Sequence, residues 1–98
     1  MIRKYRTEDI EALIDIWDTA DALAHPFLST EVRDQVRKDM RNIYFPNAET
    51  WVLEDNGVPV GFIAMIDTEI GGLFLAPSQH GKGMGRQMVD HVVAIKGH

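Results

Sequence analysis

The dipeptide Asn56-Gly57, between two apolar segments, constrains the fold more than any other feature of the sequence. Asn-Gly favours the two-residue turn that joins antiparallel strands, because both residues tolerate a positive φ. Residues 50–53 and 58–66 are therefore predicted to pair as a hairpin. Pro59 and Gly61 predict a bulge or a sheet edge near the start of the second strand. A central hairpin favours an α+β fold over a doubly wound parallel sheet.

A short strand over residues 2–6 and two amphipathic helices precede the hairpin. Thr7 is a suitable N-cap for the first helix, and Pro26 predicts that this helix ends by about residue 24. Its apolar face comprises Ile10, Leu13, Ile14, Trp17 and Ala20. Ser29 begins the second helix, which is predicted to stop before Pro46. The apolar stripe of that helix comprises Val32, Val36, Met40 and Ile43.

A third strand over residues 73–76 leads into a glycine-rich turn and a last helix. The helix is predicted to run to about Lys96, with Gly97 as its C-terminal stop. Its apolar face comprises Met84, Met88, Val92 and Ile95. The predicted element order is β-α-α-β-β-β-α, in a single domain over residues 1–98.

The glycine-rich turn is a candidate phosphate or pyrophosphate site. Gly81, Gly83 and Gly85 let a ligand approach the backbone closely, and the first amides of the following helix have no internal partner. Lys82 and Arg86 add two positive charges beside the positive end of the helix dipole. The glycine spacing matches neither a P-loop nor a dinucleotide-binding fingerprint. A tight strand-to-helix turn without a ligand is the alternative interpretation.

Composition excludes several classes of function. The chain has no cysteine, which excludes disulfides, thiolate metal sites and a cysteine nucleophile. Its four histidines show no close metal-ligand pair, so no metal site is predicted. A net charge of −5 disfavours nucleic acid as a partner. No apolar run is long enough to span a bilayer and no signal-peptide pattern is visible, so we expect no membrane partner and a cytoplasmic location.

Residues 73–86 resemble the acetyl-CoA signature of the GNAT (Gcn5-related) N-acetyltransferases. That signature is a strand of the form apolar-x-apolar-x-Pro, followed by [Arg/Gln]-x-x-Gly-x-[Gly/Ala] at the start of a helix. His80 departs from the pattern, because it holds the position of the usual Arg or Gln. The order of elements over all 98 residues agrees with the N-terminal half of the family.

The resemblance implies that acetyl-CoA is the co-substrate. Backbone groups of Phe74 and Leu75, with Leu73 as a further candidate, would hold the pantetheine arm. The pyrophosphate would lie on the backbone amides of Gly81, Lys82, Gly83, Met84, Gly85 and Arg86.

The resemblance also implies direct acetyl transfer to an amine that a base has deprotonated. Glu69 and His25 are the candidate bases. A solvated loop acid and a helix-ending surface residue are the alternative interpretations of the two. The tyrosine that often protonates the leaving thiolate in the family has no counterpart here, and Tyr5 and Tyr44 lie in other elements.

Three functions are consistent with these patterns. The first is an acetyl-CoA-dependent N-acetyltransferase acting on a small-molecule or peptide amine. The second is a CoA-binding module that is catalytically weak and acts through dimerisation or a partner, and the third is an interaction protein without a ligand. The family continues beyond the match to His98 with further strands and a helix. We therefore expect little transfer activity from this chain alone, and a homodimer that covers the exposed cofactor strand.

Overall fold

Four antiparallel strands form one sheet, in the order β1-β2-β3-β4, in a computed structural model that describes residues 1–67 and 69–96. The strands are β1 (Ile2–Lys4), β2 (Glu49–Asp55), β3 (Val58–Ile66) and β4 (Glu69–Leu75). The helices are α1 (Ile10–Ala24), α2 (Thr30–Asp39), a π-helix (Met40–Tyr44), α3 (Phe45–Asn47) and α4 (Met84–Lys96). The α+β class and the predicted element order are confirmed.

The predicted hairpin is confirmed. Asn56 and Gly57 have φ values of 54° and 79°, which is the conformation of a two-residue hairpin turn. Strand β3 has the predicted bounds, and β2 is longer than predicted at both ends. Leu53 pairs with Gly61 while Glu54 pairs with Pro59, so the register shifts at the predicted bulge.

The start of the first helix differs from the prediction. A 3-10 turn (Thr7–Asp9) precedes α1, and Arg6 rather than Thr7 is the cap residue. The Arg6 backbone N–H donates to the Asp9 carboxylate at 2.7 Å. Asp9 is in turn fixed by the Arg3 guanidinium at 2.7 and 2.8 Å. An ion pair with β1, which the local sequence pattern does not reveal, therefore decides where the helix begins.

The second helical region continues through Pro46 instead of stopping before it. At the π-helix the Phe45 backbone N–H donates to the Met40 carbonyl, five residues back. The wider turn changes which side chains face the sheet, so Phe45 is buried and Ile43 is 60% exposed. The predicted apolar stripe is wrong at Ile43 for this reason, and Val32 is also exposed.

Two apolar clusters cover the two faces of the sheet. Helix α1 and the α2–α3 region pack on one face, around Leu13, Val52 and Phe62. Helix α4 packs on the other face, where Met88 and Val92 contact a cluster that includes Trp51 and Ile63. Ile95, predicted to lie on this apolar face, is exposed.

Strand β4 begins at Glu69 rather than at residue 73. The predicted stop of α4 at Gly97 lies outside the described residues. Over residues 1–67 and 69–96, none of the helices has the length and apolar character needed to cross a bilayer.

The ion pair between Arg3 and Asp9 ties β1 to the start of α1. Both side chains are largely buried, and Glu54 of β2 lies 2.9 Å from the same guanidinium. The Arg3 hydrogen bonds, together with the Arg6 backbone N–H, lower the pKa of the Asp9 carboxyl below its ordinary value, although burial acts in the opposite direction. Folding therefore favours the ionised form of Asp9.

Replacement of Asp9 by Asn should destabilise the protein by about 3 kcal/mol at pH 7, because it breaks a buried ion pair. The stabilisation by Asp9 is complete above its unfolded pKa of about 3.9 and is lost as the pH falls through the lower folded value. The difference between wild type and Asp9→Asn should therefore narrow below about pH 4. Urea unfolding at a series of pH values measures this, with Asp55→Asn as an exposed control. A difference independent of pH between pH 7 and pH 2 would contradict the assignment.

Candidate functional site

The turn between β4 and α4 contains two glycines that its backbone conformation requires. Gly81 and Gly83 have φ values of 77° and 72°, in the left-handed region that other residues adopt at a cost. A Cβ built on either glycine would meet no atom within 4 Å. The space above the turn is therefore open, and a ligand can approach the backbone there.

The N-terminus of α4 faces this open space with an excess of positive charge. The Gln87 N–H donates to the Gly83 carbonyl at 3.2 Å, so the backbone amides of Met84, Gly85 and Arg86 precede the first helical bond. Lys82 is exposed and has no acidic partner in the described part of the chain. Arg86 is also exposed, and its Nε lies 3.2 Å from the Asp90 carboxylate. Lys82 is thus the cation that is available to an anion without breaking an ion pair.

Strand β4 is an edge of the described sheet and presents alternate backbone groups to the open side. The Ala76 N–H donates to the Val60 carbonyl at 2.8 Å, and Phe74 pairs with Phe62. Because alternate residues of a strand face opposite sides, the peptide groups of Phe74 face β3 and those of Leu73 and Leu75 face the open edge. A cofactor contact with the Phe74 backbone does not fit this register, whereas Leu73 and Leu75 do.

His80 lies against the open edge of β4. Its Nε2 is 3.3 Å from the Leu75 carbonyl oxygen, which makes a weak hydrogen bond at the strand end. The residue that departs from the family pattern thus contacts one of the outward-facing backbone groups. A ligand that bonds the Leu75 carbonyl must displace this ring.

The Phe74 side chain lies on the opposite side of the sheet from α4, beside a cavity of about 290 Å³. The apolar part of the cavity wall comprises Trp17, Val36, Met40, Phe62 and Phe74. Asp39 and Tyr44, from the end of α2 and the π-helix, add a carboxylate and a phenol to the lining. The cavity therefore combines an apolar interior with two polar groups.

A bulge in β4 borders the same cavity at Gly71. Ala64 pairs with Gly72 while Met65 pairs with Ile70, so Gly71 is an extra residue without a ladder partner. A Cβ on either Gly71 or Gly72 would lie 3.0 Å from the Tyr44 hydroxyl. These two glycines therefore leave the room that the Tyr44 ring occupies.

Sequence reasoning missed the bulge, Tyr44 and Asp39. The pair Gly71-Gly72 inside an apolar segment is a local signal for a bulge. The π-helix has no comparable signal, although such turns are frequent at functional sites. Burial raises the pKa of the Tyr44 phenol, so this hydroxyl stays protonated at neutral pH.

The structure does not bring the two candidate bases together. Glu69 is exposed at the start of β4, and no hydrogen bond or ion pair joins it to His25 among the described residues. His25 follows α1, and its Nδ1 lies 2.9 Å from the Asp21 carboxylate. Neither residue lines the cavity beside the bulge.

Comparison with known proteins places these features in a family. A family model described as the acetyltransferase (GNAT) domain matches residues 46–98. The peptidyl-lysine N-acetyltransferase YjaB of Escherichia coli is 34% identical over 95 residues, which are 96% of this chain and 64% of that protein. The chain thus spans less than two thirds of the length of this curated relative.

Solved structures agree with the sequence match. The apo form of Escherichia coli YjaB superposes with a TM-score of 0.79 at 35% identity, over 97% of this chain and 65% of that one. The PaiA N-acetyltransferase of Thermoplasma acidophilum, solved in complex with coenzyme A, superposes with a TM-score of 0.81 at 19% identity. That match covers 97% of this chain and 70% of the Thermoplasma chain.

Proposed function

The chain belongs to the GNAT acetyltransferase family, and on this premise we propose that it takes part in acetyl-CoA-dependent transfer of an acetyl group to an amine. The observation that carries the proposal is the open glycine turn at the N-terminus of α4, next to the free edge of β4. The turn suits the pyrophosphate of coenzyme A, and the edge suits its pantetheine arm. We also propose a cytoplasmic location, where this co-substrate is at hand.

In this proposal the pyrophosphate lies on the backbone amides of residues 81–86. Helix N-terminal amides and the helix dipole stabilise an anion, and Lys82 supplies a full positive charge beside them. The main chain makes most of these contacts, so the glycines matter more than the identity of Met84. Arg86 contributes once it exchanges Asp90 for phosphate.

The pantetheine arm lies along β4 like an added strand. The outward N–H and C=O groups of Leu73 and Leu75 are the partners for its two amide groups. Displacement of His80 from the Leu75 carbonyl accompanies binding. The thioester end then points toward the Gly71 bulge, where an unpaired backbone N–H is available to a carbonyl oxygen.

The transfer joins the amine nitrogen to the thioester carbonyl carbon. A base first takes a proton from the ammonium form of the acceptor, and the free lone pair then attacks. The C–S bond breaks, coenzyme A leaves as a thiolate, and the thiolate takes up a proton. Glu69 and His25 are the proposed candidates for the base.

The relatives suggest the kind of acceptor. YjaB is named a peptidyl-lysine N-acetyltransferase, so a peptide amine is one proposed acceptor and a small-molecule amine is the other. The Thermoplasma neighbour holds coenzyme A on the same fold, which supports the proposed co-substrate.

Replacement of Gly83 by Val should abolish the stabilisation of the protein by coenzyme A. A β-branched side chain is strained at a φ of 72° and also projects into the space required by the pyrophosphate. At about 100 times Kd, coenzyme A should stabilise wild type by about 2.7 kcal/mol. Thermal unfolding with and without coenzyme A measures the change.

Gly57→Val is the matched control for Gly83→Val. Gly57 has a φ of 79° and also has no atom within 4 Å of a built Cβ, but it lies in the β2–β3 hairpin turn. Its replacement should lower the melting temperature by a similar amount and keep the full response to coenzyme A. An equal response in Gly83→Val and wild type would refute the pyrophosphate site.

Release of coenzyme A thiol from acetyl-CoA in the presence of a panel of amines tests the transfer itself. Loss of a positioned base typically lowers the rate about 10²- to 10⁴-fold, so Glu69→Gln or His25→Ala should show such a loss if that residue is the base. Glu31→Gln, an exposed acid on α2, is the control.

A CoA-binding module without turnover is the second candidate function. It is favoured by the position of Glu69 and His25, neither of which lines the cavity beside the bulge. Binding of coenzyme A without thiol release for any amine would support this candidate over the transferase.

We further propose that the 98-residue chain forms a homodimer through β4. The edge carries the outward backbone groups of Leu73 and Leu75, and Ile66 and Ile70 beside it are about half exposed. Such an apolar edge is a template for pairing with another chain.

Light scattering coupled to size exclusion should give twice the 11.1 kDa mass of the chain. Ile70→Lys places a charge at the edge and should shift the population toward the monomer, whereas Val58→Lys at the start of β3 should not. A stable wild-type monomer at high concentration would overturn the proposal.

A further inference from the structure

We propose that the cavity between the α2–π-helix region and β4 binds the acceptor as a primary alkylammonium, with Asp39 as the residue that recognises its charge. The inference rests on the proposed function, since it assigns the acceptor side of the same site. It commits to a positively charged amine on an unbranched apolar stem. A free amine and a lysine side chain share this chemistry.

The charge of the cavity comes from Asp39. It is the charged residue among those that line the cavity, and its carboxylate accepts one hydrogen bond from Gln35 at 2.9 Å. No arginine or lysine pairs with it among the described residues, whereas Asp18 and Asp34 on the neighbouring helical surface are both bound by Arg37. Asp39 therefore retains an unneutralised negative charge at the cavity, and a ligand cation is its missing partner.

The interior of the cavity selects an apolar stem. Trp17, Met40 and Phe62 are almost fully buried, and their walls offer no donor or acceptor to a polar ligand. A volume of about 290 Å³ is at the lower end of the range for small-molecule sites, which is about 300–1,000 Å³. The space therefore suits a short alkyl chain rather than a large ring system.

Tyr44 and the bulge connect this pocket to the proposed transfer site. The Tyr44 hydroxyl accepts no hydrogen bond and donates none within residues 1–67 and 69–96, and it lies beside Gly71 and Gly72. Gly71 lines the cavity and is the unpaired residue of β4. An amine held by Asp39 and Tyr44 thus lies on the side of β4 that the thioester end is proposed to reach.

A nuclear magnetic resonance titration of the 98-residue protein with n-butylamine tests the inference without acetyl transfer. The Trp17 indole and the Gly71 amide should shift, and the Trp51 indole, in the cluster on the opposite face of the sheet, should not. Asp39→Asn should weaken n-butylamine binding about threefold or more, and Asp55→Asn should not. Each added methylene from methylamine to n-butylamine should strengthen binding about threefold.

n-Butanol separates charge recognition from the apolar stem, because it should bind wild type and Asp39→Asn equally. Nα-acetyl-lysine methylamide carries the same alkylammonium on a peptide backbone, so shifts at Trp17 with this probe identify a peptide source. Equal affinity of n-butylamine for wild type and Asp39→Asn, or no shift at Trp17, overturns the inference. Failure of coenzyme A to stabilise the protein, with amine binding intact, overturns instead the proposed function.

Discussion

The burial of β3 on both faces is the constraint on which the rest of the structure depends. Phe62, Ile63 and Ala64 are fully buried at the centre of this strand. Phe62 packs against Phe45 and Phe74 on one face, and Ile63 packs into the α4 cluster on the other. Neighbouring side chains of a strand point to opposite faces, so one strand holds two helical layers at a fixed separation. Both β4 and α4 take their positions from this strand.

The same alternation gives β4 two roles. Leu73 and Leu75 pack under α4 and turn their backbone groups to the open edge, while Phe74 turns its ring to the cavity. The glycine turn, the edge and the cavity are therefore parts of one arrangement around a single strand. The proposed cofactor and acceptor contacts meet at the Gly71 bulge, because the extra residue there is outside the ladder with β3.

Ion pairs and packing adjust this frame where local sequence signals are weak. The Arg3–Asp9 pair moves the start of the first helix away from the Thr7 cap. The π-helix carries the second helical region past Pro46 and exposes Ile43 while burying Phe45. Both departures occur because side chains distant in sequence contribute more free energy than a local capping or periodicity preference.

The sequence by itself determined the Asn56-Gly57 hairpin, the glycine turn after β4 and the order of the elements. These features depend on local backbone preference and on residue periodicity, which are properties of neighbouring residues. The tertiary structure alone decided the outward direction of the Leu73 and Leu75 backbone groups, the contact of His80 with Leu75, and the cavity that joins Asp39, Tyr44 and Gly71. A strand register and a packed cavity depend on residues far apart in the chain, and no local pattern encodes their distances.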